Sequence, residues 1–219
     1  MLQLYGHPFS SYTWKALIPL YANAVPFTFR MLSPEHPENQ AFVQEHTPAG
    51  KFPLLLDGER PVFEATGIIE YLAATRAECR ALFPADPIAA AHVRMLDRVF
   101  DNYVMGNLFR VVQAHMAAPT APDQAEIAAA RQALGRAYRW LETWLETEGE
   151  PPSVTLVTCA AAPSLFYADW VLSITEEGCP RLAAWRAALL ALPSVARCVD
   201  DARPYRKLFP PGAPNPDRD

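Results

Sequence analysis

Ser10 and Ser11 stand directly before an apolar periodic run, Tyr12 to Ala22. Serine in that position caps a helix, because its side-chain oxygen accepts from N–H groups of the first turn. A hydroxyl there also lies beside the positive end of the helix, where an anion is stabilised. Tyr5 closes the alternating run Met1–Tyr5. The four cysteines, Cys79, Cys159, Cys179 and Cys198, are scattered. None forms a CxxC pair and no Cys/His spacing suits zinc, so no metal is expected and the thiols read as small buried hydrophobes.

The elements that must hold these residues fall into two halves. Residues 1–82 mix short strands with helices. Met1–Tyr5 and Val25–Leu32 alternate as strands, and the helix between them implies parallel pairing. Pro19 inside that helix should kink or shorten it. A short helix is expected around Asn39–Glu45. Lys51–Asp57 reads as a strand with Pro53 near its start, where a missing N–H does no harm. Asp57-Gly58 signals a hairpin and Pro61-Val62-Phe63 the returning strand. Glu64–Ala74 then reads as a helix with Ile68, Ile69 and Leu72 on one face. The order β-α-β-α-β-β-α is that of a thioredoxin-like fold.

The stretch Pro84–Pro87 reads as a linker. Beyond it, residues 87–209 read as an all-helical domain. Helices are expected over Ile88 to about Met116, over Ala125–Glu146, from Ser153–Thr158 to Trp170 with Pro163 as a kink, and over Arg181–Leu192 and Ser194–Ala202. Trp14, Trp140, Trp144 and Trp185 read as core residues, and 210–219 as a mobile tail.

The 219 residues are 51% hydrophobic and 20% charged, which is ordinary globular composition. A net charge of -5 makes nucleic acid a poor partner. No apolar run reaches membrane-spanning length, and because the opening residues read as a strand no signal peptide is expected. A reduced cytoplasm is the expected setting, and no membrane partner is foreseen.

Four stretches together resemble the cytosolic glutathione transferases: LYGHPFSSYTWK, TPAGKFPLLLDGERPVFEATGIIEYL, FDNYVM and CAAAPSLFYADWV. The last two resemble a bacterial branch, and the serines after the first strand resemble the serine-type branches. The resemblance covers about residues 1–209 and implies a thioredoxin-like N-terminal domain, a helical C-terminal domain, and a homodimer. It implies glutathione as cosubstrate, conjugated to a small apolar electrophile, a detoxification chemistry.

Site residues follow from the same resemblance. Ser10 would stabilise the glutathione thiolate, with Ser11 as alternate and Tyr5 as the tyrosine-type rival. A free thiol has a pKa near ~8.5, so a hydroxyl donor and a helix N-terminus together favour the thiolate at neutral pH. Phe52 would offer its backbone to the cysteinyl part, beside a cis Pro53, and Lys51 would face the glycine carboxylate. Glu64 and the position after it would hold the γ-glutamyl end. That position is commonly serine in the family; here it is Ala65, which predicts weaker glutathione binding unless Thr66 compensates. Asp101 would reach the glutathione ammonium across a dimer. His7, Phe9, Tyr12, Tyr103 and Phe109 would form the electrophile pocket. Thr155 and Thr158 stand where the family has a T-x-x-D capping box. Ser10, Ser11, Tyr12 and Thr13 fill the C-x-x-C region, so dithiol chemistry is not expected. Two other readings are open: a glutathione-dependent isomerase, because FSSYTWK is similar to an SSCxWR motif, and a non-catalytic ligand-binding protein, which Ala65 favours.

Overall fold

The computed structural model describes residues 1–151 and 153–214. The end of the expected tail, 215–219, lies outside the described residues. The first half builds β1 (Leu2–Gly6), α1 (Ser11–Ala22), β2 (Phe27–Met31), α2 (Pro37–His46), β3 (Leu54–Asp57), β4 (Arg60–Phe63) and α3 (Ala65–Thr75). The sheet order is β2-β1-β3-β4. β1 pairs parallel with β2 and antiparallel with β3, and β3 pairs antiparallel with β4. Gly58 takes φ +61° in the hairpin turn, a conformation that suits glycine.

Alternation along β1 divides the two faces of the sheet. Leu2 and Leu4 enter the main core with Leu17 of α1 and Ile68, Ile69 and Leu72 of α3. Tyr5 faces the other way, into a smaller cluster with Leu32, Val43 and Leu54. Pro19 lies inside α1 without ending it. Asn23 satisfies the Pro19 carbonyl through both its backbone N–H, at 3.2 Å, and its side-chain amide, at 2.8 Å.

A 3₁₀ segment, Ala77–Leu82, leads to α4 (Pro87–Val99). Asp86 caps α4, accepting from the Ala89 N–H at 2.7 Å. The helix continues through a π-helical segment, Phe100–Met105, into α5 (Gly106–Ala117). After it come α6 (Gln124–Glu148), α7 (Leu156–Ala168), α8 (Pro180–Leu190), α9 (Pro193–Ala202) and a second 3₁₀ segment, Arg203–Leu208. Every residue of α7 is buried, as befits a helix apolar on all sides. At its start, the Thr155 N–H donates to Thr158 Oγ1 at 3.3 Å, so threonine supplies the return half of the capping box. Trp14, Trp144 and Trp185 are buried, but Trp140 is 47% exposed. It precedes Leu141 by one residue, which turns it about 100° off the buried stripe of α6. No single helix among the described residues is long and apolar enough to cross a membrane.

Candidate active site

The turn between β1 and α1 is pinned from several sides. A Cβ at Gly6 would sit 2.6 Å from the Thr13 side chain, so only glycine lets the strand end this close to the helix. The His7 N–H donates to Thr13 Oγ1 at 3.3 Å, and the Phe9 N–H donates to His7 Nδ1 at 3.1 Å. Trp14 Nε1 donates to the Pro8 carbonyl at 2.5 Å, and the Tyr167 hydroxyl donates to the Phe9 carbonyl at 3.0 Å. Ser10 follows in extended conformation, and its Oγ accepts from the Thr13 N–H at 3.3 Å. That bond uses an oxygen lone pair and leaves the hydroxyl proton available to an acceptor at the head of α1.

Two clefts meet at Phe52. One, of about 280 Å³, is polar and includes Tyr12, Lys51, Glu64, Ala65, Arg98 and Asp101. The other, of about 410 Å³, is apolar: Phe9, Met105, Phe109, Val112, Tyr167 and Phe209 are among its walls. Ser10 and Ser11 line the apolar cleft, and Phe52 lines both. The Phe52–Pro53 peptide is cis. Glu64 is held at φ +65° as the residue before α3, and its side chain makes no capping bond to the helix. The first N–H groups of α3 therefore have no side-chain acceptor from the cap, at a helix start whose Ala65 lines the polar cleft.

A buried ion cluster backs the polar cleft. Lys15 Nζ pairs with Asp97 Oδ1 at 2.5 Å and with Asp101, and the three side chains are 2%, 1% and 11% exposed. Arg98, on the cleft side, binds the Asp97 carboxylate and pairs with Asp101 at 2.8 Å. Thr66 donates to Asp97 Oδ2 at 3.0 Å and accepts from Arg98 Nη2 at 2.5 Å. Burial pushes the Asp101 carboxyl up, while Lys15 pulls it down. Burial, and then the negative charge of Asp101, push the Tyr12 hydroxyl up to about 12. Tyr12 therefore enters the cleft as a neutral O–H donor. Burial lowers the His7 pKa, which keeps that imidazole neutral at pH 7.

The site residues read from the sequence divide by this geometry. Lys51, Phe52, Pro53, Glu64, Ala65 and Asp101 share the polar cleft, and Tyr12 joins them there. Ser10, Ser11, Phe9 and Phe109 share the apolar one. Tyr5 lines neither: it is buried on the α2 side of the sheet, its ring stacked 4.7 Å from Phe42. His7 packs edge-on to Tyr205 at 4.7 Å, and Tyr103 is 58% exposed on the π segment; neither lines either of these two clefts. Thr66 spends its hydroxyl on Asp97 and Arg98. Asp97, Arg98, Asn102 and Tyr167 were not foreseen. Two signals pointed to the cluster: Asp97 and Asp101 stand one helical turn apart, and Lys15 interrupts an otherwise apolar helix face.

A small mixed sheet with flanking helices, joined to a helical domain, is the fold of the solved glutathione transferases that this chain resembles. Residues 4–80 match the family described as glutathione S-transferase, N-terminal domain. Solved structures agree over nearly the whole chain. A glutathione S-transferase from Methylobacillus flagellatus with glutathione bound is 23% identical, covering 90% of this chain and 98% of that one at a TM-score of 0.77. Glutathione transferase F7 from Populus trichocarpa is 20% identical, covering 92% and 99% at 0.78. A glutathione S-transferase from Methylobacterium radiotolerans, in complex with glutathione sulfonate, is 22% identical, covering 90% and 94% at 0.76. No curated protein matched the chain.

Proposed function

We propose that this chain is a glutathione transferase of the serine type, which joins the glutathione sulfur to a small apolar electrophile. The observation that carries this reading is the meeting of a polar cleft with an apolar one at Phe52, with Ser10 at the head of α1 beside the junction. The polar cleft suits glutathione, a peptide with two carboxylates and one ammonium: Lys51 and Arg98 are cations and Glu64 is an acid. The apolar cleft suits an acceptor held by aromatic and methionine side chains.

Ser10 donates its hydroxyl proton as a hydrogen bond to the thiolate, while Thr13 N–H polarises its oxygen. The helix end adds its partial positive charge. Neutral Tyr12 offers a second donor from the polar side. The thiol proton leaves to solvent. The sulfur lone pair then forms the S–C bond, and the leaving group departs with the electrons of the bond that breaks.

A reading without catalysis is favoured by Ala65, which removes a hydroxyl from the end of the polar cleft. One titration separates the two. Calorimetry with glutathione, read together with ultraviolet difference absorbance in the thiolate band, is expected to show binding with a thiolate signal at neutral pH. Binding without that signal would favour the ligand-binding role, and no binding at millimolar glutathione would overturn both. We place the protein in the cytoplasm, in keeping with four free and buried cysteines. We also assign it a homodimer; exposed Phe63, Met95 and Tyr103 support an apolar contact surface.

A further inference from the structure

Arg98 is held by one edge of its guanidinium. Nε donates to Asp97 Oδ2 at 3.1 Å, and Nη2 donates to Thr66 Oγ1 at 2.5 Å and pairs with Asp101 Oδ2 at 2.8 Å. Nη1 has no partner among the described residues, and the side chain is 51% exposed in the polar cleft. The fork is thus fixed in direction with two donors left over.

The free end of an α-amino acid carries an ammonium and a carboxylate on one carbon. It needs an acid and a cation side by side. Among the described residues lining the polar cleft the cations are Lys51 and Arg98, and the acids are Glu64 and Asp101. Both Asp101 oxygens lie 2.8 Å from Lys15 Nζ, which leaves Glu64 as the uncommitted acid. Arg98 is bonded to Thr66, two residues from Glu64 and at the same end of α3. Glu64 and Arg98 are therefore the acid and the cation that line the polar cleft at the start of α3.

We propose that Arg98 Nη1 anchors the α-carboxylate of the γ-glutamyl end of glutathione, in place of a side-chain hydroxyl at Ala65. This rests on reading the polar cleft as a glutathione site. Lys51 is left for the glycine carboxylate, so the cleft requires an intact α-amino acid group at the α3 end.

The experiment is calorimetric titration of the purified protein with glutathione, γ-glutamylcysteine and cysteinylglycine. Arg98→Ala is expected to weaken glutathione and γ-glutamylcysteine by roughly tenfold or more, the scale of a charged hydrogen bond, and to leave cysteinylglycine unchanged. Arg98→Lys keeps a cation beside Asp97 and Asp101 and is expected to stay folded while losing affinity in the same pattern. Ala65→Ser is expected to restore much of the loss in the Arg98→Ala protein and to add less to the wild type. An Arg98 that only braces the fold would give no such rescue. If the wild type fails to bind millimolar glutathione, the glutathione reading falls and this assignment with it. If the wild type binds and Arg98→Ala binds equally well, only the assignment falls. An equal loss for cysteinylglycine, or the same gain from Ala65→Ser in both backgrounds, also overturns it.

Discussion

Lys15 Nζ lies 2.8 Å from each carboxylate oxygen of Asp101, across the seam between α1 and the π-helical segment. The same ammonium reaches Asp97 at 2.5 Å. One buried cation thus ties the sheet-bearing half of the chain to the helical half, directly behind the polar cleft.

Removing that cation alone leaves two carboxylates buried without it. Lys15→Met is expected to cost about 3–5 kcal/mol, because Arg98 then stands alone against two carboxylates and one buried negative charge is left uncompensated. Adding Asp97→Asn and Asp101→Asn to Lys15→Met should recover most of the loss. Urea unfolding of the three proteins checks this. A lone Lys15→Met that unfolds with the wild type would show that water reaches the cluster and screens it.

Ser10 has two separable duties, and glycine separates them. Ser10→Ala removes the acceptor of the Thr13 N–H, 3.3 Å away, and should cost about 1 kcal/mol as a lost N-cap. Ser10→Gly should cost only a few tenths, roughly, since glycine is tolerated at that position. Both lack the hydroxyl. Turnover is expected to fall in both, much further than affinity for glutathione falls. If Ser10→Gly turns over like the wild type, Ser10 is a cap and nothing more.

That duality shows where the sequence is legible. Serine before an apolar run announces a cap, and the D-G turn announces the β3–β4 hairpin, because both signals are local. Tyr5 is harder: its neighbours along β1 do not say which face α2 will cover, and it stacks on Phe42 away from both clefts. Lys15 interrupts the apolar face of α1, but its partner Asp101 lies 86 residues on and only the fold brings the two together. The π segment has no sequence signature here, yet it carries Asp101 and Asn102 into the polar cleft. Tyr12 stands next to the serines but turns into the polar cleft, since consecutive helix residues point about 100° apart.

Glu64 sits at φ +65°, a conformation that costs a residue with a Cβ about 1–3 kcal/mol. Glu64→Gly relieves this strain and adds back some unfolded-state freedom, so a net gain of up to about 1 kcal/mol is expected. The same change removes the acid that the glutathione ammonium would meet. Thermal unfolding should move up while glutathione affinity moves down. A drop in both would mean that the Glu64 side chain stabilises the fold by contacts beyond the strain it carries.

The His7 imidazole takes the Phe9 N–H on Nδ1 at 3.1 Å, which places its own proton on Nε2. Protonating Nδ1 would set two N–H groups against each other in the turn that precedes Ser10. Burial holds the folded pKa below its usual value, so the unfolded chain takes up the proton first as pH falls. Stability from this group is complete above the unfolded value of about 6.5 and declines below it. The ring is only half-buried, so water screens much of the effect, and the loss is expected to be on the order of one or two degrees in Tm. His7→Asn keeps a side-chain oxygen for the Phe9 N–H and removes the titration. The difference in Tm between wild type and His7→Asn should therefore shift against the wild type as pH is lowered from neutrality through the histidine range. Parallel curves for the two proteins would mean that His7 titrates as a solvated imidazole and does not hold the turn through Nδ1.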